Sequence, residues 1–98
     1  MSDGEDYKLR IQVSRFVRAR LPDEYRLFRA WELGIPSLVL VGGPQFKTHF
    51  ILVKEPGEDL SPEESSFANW CLTFNAAAWC CARSVSDAEA ALIHWGII

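Results

Sequence analysis

The first third of the chain carries two different spacings of hydrophobic residues. From about Asp6 to Arg20, apolar residues recur at intervals of three and four, which is typical of an amphipathic helix. Leu-Pro-Asp at 21–23 ends this predicted helix. The run from Tyr25 to Trp31 is aromatic and apolar but interrupted by Arg26 and Arg29. This pattern predicts an edge strand whose charges lie in solvent.

The middle of the chain predicts a hairpin followed by a helix. Two β-rich runs, 37–41 and 48–54, are separated by Gly42-Gly43-Pro44, which is typical of a hairpin turn. Ser61-Pro62-Glu63-Glu64 predicts a capping box with proline at the first helical position, so a helix should begin at residue 62. Asn75 should end it in the left-handed conformation. Four residues at helical spacing are predicted to form its core-facing stripe: Phe67, Trp70, Cys71 and Phe74.

The C-terminal part predicts one more strand and one more helix. Residues 77–82, AAWCCA, form a small-residue run that favours a buried strand. Ser86 and Glu89 have the spacing of a second capping box, and Gly96 is a typical helix terminator. The predicted order is α-β-β-β-α-β-α, an α/β fold with a mixed central sheet flanked by helices. We expect a single domain over residues 1–98, with residues 1–5 frayed.

Composition and charge narrow the class of protein. The 98 residues leave room for one modest core, and no apolar run approaches the roughly 20 residues that span a bilayer. The N-terminus is acidic, so we expect no signal peptide and a cytoplasmic location. Residues 1–30 carry seven basic and five acidic side chains, whereas residues 31–98 carry three basic and eight acidic ones. The molecule should therefore be electrostatically two-sided.

The cysteines and histidines do not form a metal-binding pattern. Cys71, Cys80 and Cys81 lie among apolar residues, without the spacing of a zinc site. We expect them to be reduced and buried, although the sequence leaves open whether Cys80 and Cys81 are oxidised to a strained disulfide. His49 and His94 are isolated, and neither has a neighbour at a spacing that indicates a ligand set.

Several segments between Gly34 and Gly96 resemble the VRR-NUC branch of the PD-(D/E)xK nucleases, whose small stand-alone members are common in phages. That family has a "GxPD" strand, a "fiExK" strand, a "pgGxLSpeQ" loop, a helix, an alanine-rich strand, an arginine-serine turn and a final "WGi". The corresponding segments here are Gly34-Ile35-Pro36-Ser37, Phe50-Ile51-Leu52-Val53-Lys54, 56–64 (PGEDLSPEE), Arg83-Ser84-Val85 and Trp95-Gly96-Ile97. The resemblance implies a restriction-endonuclease-like core.

The chain departs from the family at the residues that carry its chemistry. Ser37 replaces the aspartate, Leu52 replaces the glutamate of "ExK", and Glu64 replaces the glutamine, so only Lys54 of the core set remains. Asp6 falls near the place of the family's helical glutamate. Phosphodiester hydrolysis in such a site needs Mg²⁺ held by carboxylate oxygens. We therefore expect no catalytic residues, no metal and no cofactor.

A rebuilt metal site is the alternative. Glu32, before the proline of the first motif strand, could reach the pocket, and Glu55 could do so if a bulge re-aimed it. In that case the chain would be an active Mg²⁺-dependent DNA nuclease.

Two charged surfaces are the candidates for binding. Glu55, Glu58 and Asp59 follow Lys54 where a nuclease would meet phosphate, so they should weaken DNA binding and suit a basic protein partner. Arg10, Arg15 and Arg18 on the first helix could instead follow a phosphate backbone. A basic helix and an acidic loop on one small body also favour a homo-oligomer.

The leading hypothesis is a catalytically inactive, nuclease-like, protein-binding module. By analogy with the phage-type family, it would inhibit a host nuclease or a defence complex such as CRISPR in the cytoplasm of a phage-infected or lysogenic bacterial cell. Its partner would be a basic nucleic-acid-binding surface of a host protein, with weak nucleic-acid binding and no membrane contact. The alternatives are the active nuclease and a homo-oligomeric DNA-binding accessory protein.

Overall fold

The order of helices and strands agrees with the order predicted from the sequence. A computed structural model describes residues 3–30, 37–44 and 47–98, with the backbone alone for residues 3–7. Within these residues the elements are α1 (Asp3–Arg20), β1 (Tyr25–Arg29), β2 (Leu38–Gly42), β3 (His49–Val53), α2 (Pro62–Phe74), β4 (Ala78–Ala82) and α3 (Val85–His94). The predicted α/β fold class is therefore confirmed. None of the described helices has the length and apolar character needed to cross a membrane.

The described strands form one mixed sheet in the order β1-β2-β3-β4. β1 and β2 are antiparallel, β2 and β3 form the predicted antiparallel hairpin, and β3 and β4 are parallel. Because parallel neighbours need a crossover, α2 connects β3 to β4. β1 lies at an edge with Arg26 and Arg29 exposed, as predicted, although the strand ends at Arg29 and Trp31 lies outside the described residues.

Two glycines allow the end of β2 to pass closely against the start of β1. Gly42 and Gly43 have φ angles of 110° and 77°, in the region that favours glycine. A Cβ atom on Gly42 would collide with the carbonyl oxygen of Glu24, and one on Gly43 would collide with the ring of Tyr25. The Gly-Gly pair is therefore required by backbone conformation and by space.

The main core lies between one face of the sheet and the helices α1 and α3. It includes Val13, Val17, Leu38, Leu40, Ile51, Val53, Ala82, Ala88 and Leu92. His49 belongs to the same layer, with its ring centroid 4.9 Å from that of Trp95 and 6.4 Å from that of Tyr25. Burial, together with the charge of Lys47, lowers the pKa of His49. This histidine is therefore a neutral core residue near pH 7.

The predicted capping box at the start of α2 is confirmed. The Ser61 hydroxyl oxygen accepts from the backbone N–H of Glu64 at 3.1 Å, and the Glu64 carboxylate accepts from the backbone N–H of Ser61 at 2.8 Å. Pro62 occupies the first helical turn, where a missing N–H costs nothing. Asn75 ends the helix in the left-handed conformation with φ 49°, also as predicted.

The predicted core-facing stripe of α2 is wrong for two of its four residues. Cys71 is buried, but Trp70 is 50% and Phe74 is 70% exposed. The residues that face the sheet are Ala68 and Cys71, whose small side chains let the helix axis approach the strands. Trp70 and Phe74 lie about 100° around the helix from that line, since successive residues turn by roughly 100°. On this helix the small side chains are buried, and the two large aromatic side chains are exposed.

The predicted start of the last helix is also wrong, by two residues. α3 begins at Val85 with Ser84 as its N-cap, so Ser86 does not cap it. The Ser84 hydroxyl accepts from the backbone N–H of Asp87 at 3.1 Å, and the Asp87 carboxylate accepts from the N–H of Arg83 at 2.9 Å. This reciprocal pair satisfies two N–H groups, as the expected Ser86 and Glu89 pair would have done. Gly96, with φ 74°, follows the helix at the expected place.

Replacing the exposed aromatic residue of α2 should cost little stability. We expect Phe74→Ala to change the free energy of unfolding by less than about 1 kcal/mol, whereas Leu92→Ala should lower it by about 2–5 kcal/mol because it leaves a cavity in the core. Urea unfolding of both variants at protein concentrations below about 1 µM, where self-association adds little to stability, checks this difference. A loss of several kcal/mol for Phe74→Ala would place this side chain in the core after all.

Candidate functional site

The residues that match the nuclease motif meet at the C-terminal end of β3. Leu38 pairs with Ile51, and continuing this antiparallel register places Ser37 opposite Leu52 on the same face of the sheet. Lys54 directly follows β3, and Glu64 lies in the first turn of α2. Asp6 is part of α1, but its side chain lies outside the described residues. Four of the five motif positions therefore surround one small region.

An ion pair between Lys54 and Glu64 closes this region. The Lys54 ammonium nitrogen lies 3.0 Å from a Glu64 carboxylate oxygen, and the two side chains are only 15% and 12% exposed. Burial alone would raise the pKa of Glu64, but the Ser61 N–H and the Lys54 ammonium outweigh it and hold this pKa below its ordinary value. The Glu64 carboxylate is therefore ionised near neutral pH and joins the end of β3 to the start of α2.

Ser37 has a structural role in the sheet. Its side chain is buried, and its hydroxyl oxygen accepts a hydrogen bond from the backbone N–H of Val53 at 3.2 Å. Since β2 begins at Leu38, the Ser37 hydroxyl continues the hydrogen-bond ladder one residue beyond the strand. On the side of β3 that faces β4, the backbone N–H of Lys54 donates to the carbonyl oxygen of Ala82 and continues the pairing of these two strands. The serine thus supplies the acceptor for the N–H of a buried residue at the end of β3.

The described residues of this region do not fit a magnesium ion. Mg²⁺ requires an octahedral set of oxygen ligands with carboxylates among them. Leu52 is buried and offers no donor atom, and the Glu64 carboxylate is already neutralised by Lys54. Elsewhere in the described ranges, no group of three or more His, Cys, Asp and Glu side chains could hold a metal ion. Glu32, one of the two residues that could rebuild a site, lies outside these ranges.

Hydrogen bonds to the backbone groups of Glu55 hold the acidic loop after Lys54 in place. The Glu55 carbonyl accepts from the Arg83 guanidinium at 2.8 Å, and the Glu55 N–H donates to the Glu58 carboxylate at 3.2 Å. Glu58 therefore stabilises the turn, while Asp59 and Glu63 are exposed. This role of Arg83 could not be predicted from the sequence, because the arginine and the carbonyl it binds are 28 residues apart.

Two of the three arginines predicted to bind nucleic acid share a surface cavity. Arg15 and Arg18 line a cavity of about 300 Å³ together with Ile11, Ser14 and Arg29. Arg10, the third predicted residue, is half-buried and does not line it. Arg29 also lines this cavity, which was not predicted from the sequence because Arg29 was interpreted only as a solvent-facing charge of an edge strand. Its position at the end of β1 brings it beside α1.

The cysteines are poor nucleophiles. All three are free thiols, so Cys80 and Cys81 are not joined in a disulfide. Burial, reinforced by the neighbouring Cys81 and Asp87, raises the pKa of Cys80 to about 12. Burial also raises the pKa values of Cys71 and Cys81. Because the thiolate is the reactive form, these residues do not supply a catalytic nucleophile near neutral pH.

Removing the charge of Glu64 should destabilise the protein and change its response to acid. Glu64→Gln keeps an acceptor for the Ser61 N–H but leaves Lys54 without its counter-ion, so we expect a loss of about 1–3 kcal/mol at pH 7. The lowered pKa of Glu64 means that its contribution is present above the unfolded-state pKa and is lost as pH falls through the folded-state value.

Urea unfolding of wild type and Glu64→Gln between pH 7 and pH 3 measures both effects. The two stability curves should converge as the pH falls, because the wild-type carboxylate becomes protonated. Equal stability at pH 7 would contradict the structural role assigned to this ion pair.

Comparison with known proteins does not add a family to these observations. No protein-family model matches the chain, and no curated protein sequence matches it. The likeness to the VRR-NUC nucleases therefore rests on the motif segments between Gly34 and Gly96 and stays a resemblance.

Proposed function

We propose that this protein is a nuclease-derived pseudoenzyme, a non-catalytic domain that acts by binding another protein. The partner is a basic, nucleic-acid-binding surface of a host protein, such as a host nuclease or a CRISPR defence complex, and the setting is a bacterial cell carrying a phage. The phage setting follows from the resemblance to small stand-alone phage domains. The choice of partner follows from the charge of the surface beside the former active site.

The buried ion pair between Lys54 and Glu64 is the observation that carries the proposal. In the family resembled, the lysine belongs to the catalytic set, and here its ammonium is paired with a carboxylate at 3.0 Å. The positions of the two metal-binding carboxylates hold Leu52, which is apolar, and Ser37, whose oxygen serves the strand backbone. Each of the motif positions Ser37, Leu52, Lys54 and Glu64 has thus acquired a role in stabilising the fold, and none supplies a metal ligand free to bind.

The acidic loop supports a protein partner better than DNA. Glu55, Glu58 and Asp59 lie next to Lys54, where carboxylates repel a phosphate backbone. The turn that holds them is fixed by Arg83 and by the Glu58 carboxylate, so the loop loses little conformational entropy when a partner binds. A loop with a fixed backbone that carries three acidic residues resembles DNA in its charge and fits a basic cleft.

Affinity capture from a bacterial lysate tests the proposal. Immobilised wild-type protein should retain basic, nucleic-acid-binding proteins, which mass spectrometry identifies and which rising salt or added duplex DNA releases. The double variant Glu55→Lys/Asp59→Lys should lose this capture. It leaves Glu58 in place because the Glu58 carboxylate holds the turn.

The matched control is Asp23→Lys/Glu24→Lys, which makes the same change in net charge at two exposed acids between α1 and β1. It should capture the same proteins as wild type. Equal capture by the loop variant and wild type would contradict the assignment of the acidic loop as the binding surface.

DNA binding is the second candidate function, and the arginine-lined cavity favours it. Arg15, Arg18 and Arg29 converge from α1 and β1 on a space of about 300 Å³, large enough for a phosphate group. Fluorescence anisotropy with a labelled duplex separates the two functions. The accessory-protein function requires micromolar or tighter binding in physiological salt that Arg15→Ala/Arg18→Ala/Arg29→Ala abolishes, whereas the pseudoenzyme proposal expects feeble binding.

A further inference from the structure

A row of apolar side chains crosses the face of the sheet that α1 and α3 do not cover. The strand register aligns Phe28 with Val39 and Val39 with Phe50, so the three share this face. The row continues onto α2, because the Phe50 ring lies 4.9 Å from Phe67 and the Phe67 ring lies 5.9 Å from Trp70. Sheet and helix therefore form one continuous apolar surface.

Half of this face carries no described helix. α2 packs over β3 and β4, whereas on β1 and β2 Phe28 is 54% and Val41 is 41% exposed. Two strands spaced about 4.8 Å apart make a floor roughly 10 Å wide, which is the diameter of one α-helix. Each strand has five residues, about 17 Å, close to the length of about 20 Å for the 13-residue α2. The uncovered floor thus has the dimensions of one helix like α2.

The aromatic flank of α2 faces solvent, and its large apolar side chains suit contact with the exposed apolar side chains of this floor. Trp70 and Phe74 are exposed beside Phe67, and Glu63 lies on the same side of the helix, since residues 63, 67, 70 and 74 recur at helical spacing. Large exposed aromatic residues are the usual anchors of protein interfaces. α2 can therefore cover its own half of the sheet and offer a second apolar surface outward.

Charge complementarity identifies the occupant. On the floor itself, the basic residue Arg26 lies beside Val41, and neither floor strand contains an acidic residue. α2 contains no basic residue, and its exposed flank begins with the acidic residue Glu63. Against a basic and apolar floor, the acidic and aromatic flank of α2 from a second copy of this chain is complementary in both respects.

We propose that two copies of this protein form a two-fold dimer in which α2 of each copy lies on the β1–β2 half of the other copy's sheet. The contact is isologous, because each copy supplies one helix flank and one sheet floor. Trp70 and Phe74 of one copy pack on Phe28 and Val41 of the other. The dimer completes a face of the sheet that a single described chain leaves half-covered.

Sedimentation velocity of the full chain, at concentrations up to about 100 µM, tests the dimer, since specific interfaces of ordinary size bind at micromolar affinity or tighter. Wild type should sediment as a dimer. Phe28→Glu on the floor and Phe74→Glu on the helix flank should each weaken association at least about tenfold, because each places a charge in both contacts. Thermal unfolding checks that both variants fold.

Leu72→Glu is the matched control. Leu72 is 76% exposed on the same helix but on the opposite flank, so this variant should remain dimeric. Mixing Phe28→Glu with Phe74→Glu protein should restore association above that of either alone. In the mixed dimer, one of the two contacts joins an unaltered helix to an unaltered floor.

A monomeric wild type, or Phe28→Glu and Phe74→Glu variants that stay dimeric, would overturn the proposal. So would an equal loss of association in Leu72→Glu. None of these outcomes bears on capture of a host protein through the acidic loop, because Glu55 and Asp59 take no part in the proposed dimer contact.

Discussion

The ion pair between Lys54 and Glu64 connects the sheet to α2 at the place where the motif resemblance puts an active site. Glu64 is also the N3 residue of the capping box, so one carboxylate caps a helix and neutralises a strand-end lysine. A pair only 15% and 12% exposed cannot lose one partner cheaply, because an uncompensated buried charge is costly. The ion pair therefore holds the Lys54 ammonium against the start of α2.

The sequence predicted the fold well wherever local chemistry decides conformation. The capping box at Ser61, the left-handed Asn75 and the glycine pair in the hairpin each depend on a few adjacent residues, and all are found where expected. The order of the elements along the chain and the edge position of β1 followed from runs whose ends are marked by proline, glycine and asparagine. Of the site, the meeting of Ser37, Leu52, Lys54 and Glu64 followed from motif spacing.

Errors arose where a residue's environment is set by distant parts of the chain. The stripe of α2 was assigned from hydrophobicity, yet the sheet accepts Ala68 and Cys71 because small side chains allow close approach, and this leaves Trp70 and Phe74 on the outside. The start of α3 was placed at Ser86, although Ser84 caps the helix with Asp87. Two hydrogen bonds have no signal in the sequence because each joins separate elements: the Val53 N–H donates to the Ser37 hydroxyl oxygen, and the Arg83 guanidinium donates to the Glu55 carbonyl.

At the end of β3, the side chains of Ser37, Lys54 and Glu64 all bind partners within the chain. The candidate binding sites lie on the surface. The described surface has an acidic loop with a fixed backbone, an apolar face half-covered by α2, and an arginine-lined cavity between α1 and β1. These surfaces support the proposed function, in which the protein acts by binding another protein. The proposed dimer and the proposed host partner use separate parts of this surface, so both can be bound at once.

Thermal unfolding of wild-type protein with and without millimolar Mn²⁺ tests the central claim most directly, because a metal that binds only the folded state must raise the melting temperature. Ser37→Asp/Leu52→Glu/Glu64→Gln restores the acidic and amide residues of the family motif and serves as the comparison. The account predicts no change in the wild-type melting temperature and a rise in the restored variant if it folds. A clear rise in wild type, accompanied by DNA nicking that Lys54→Ala abolishes, would contradict the account.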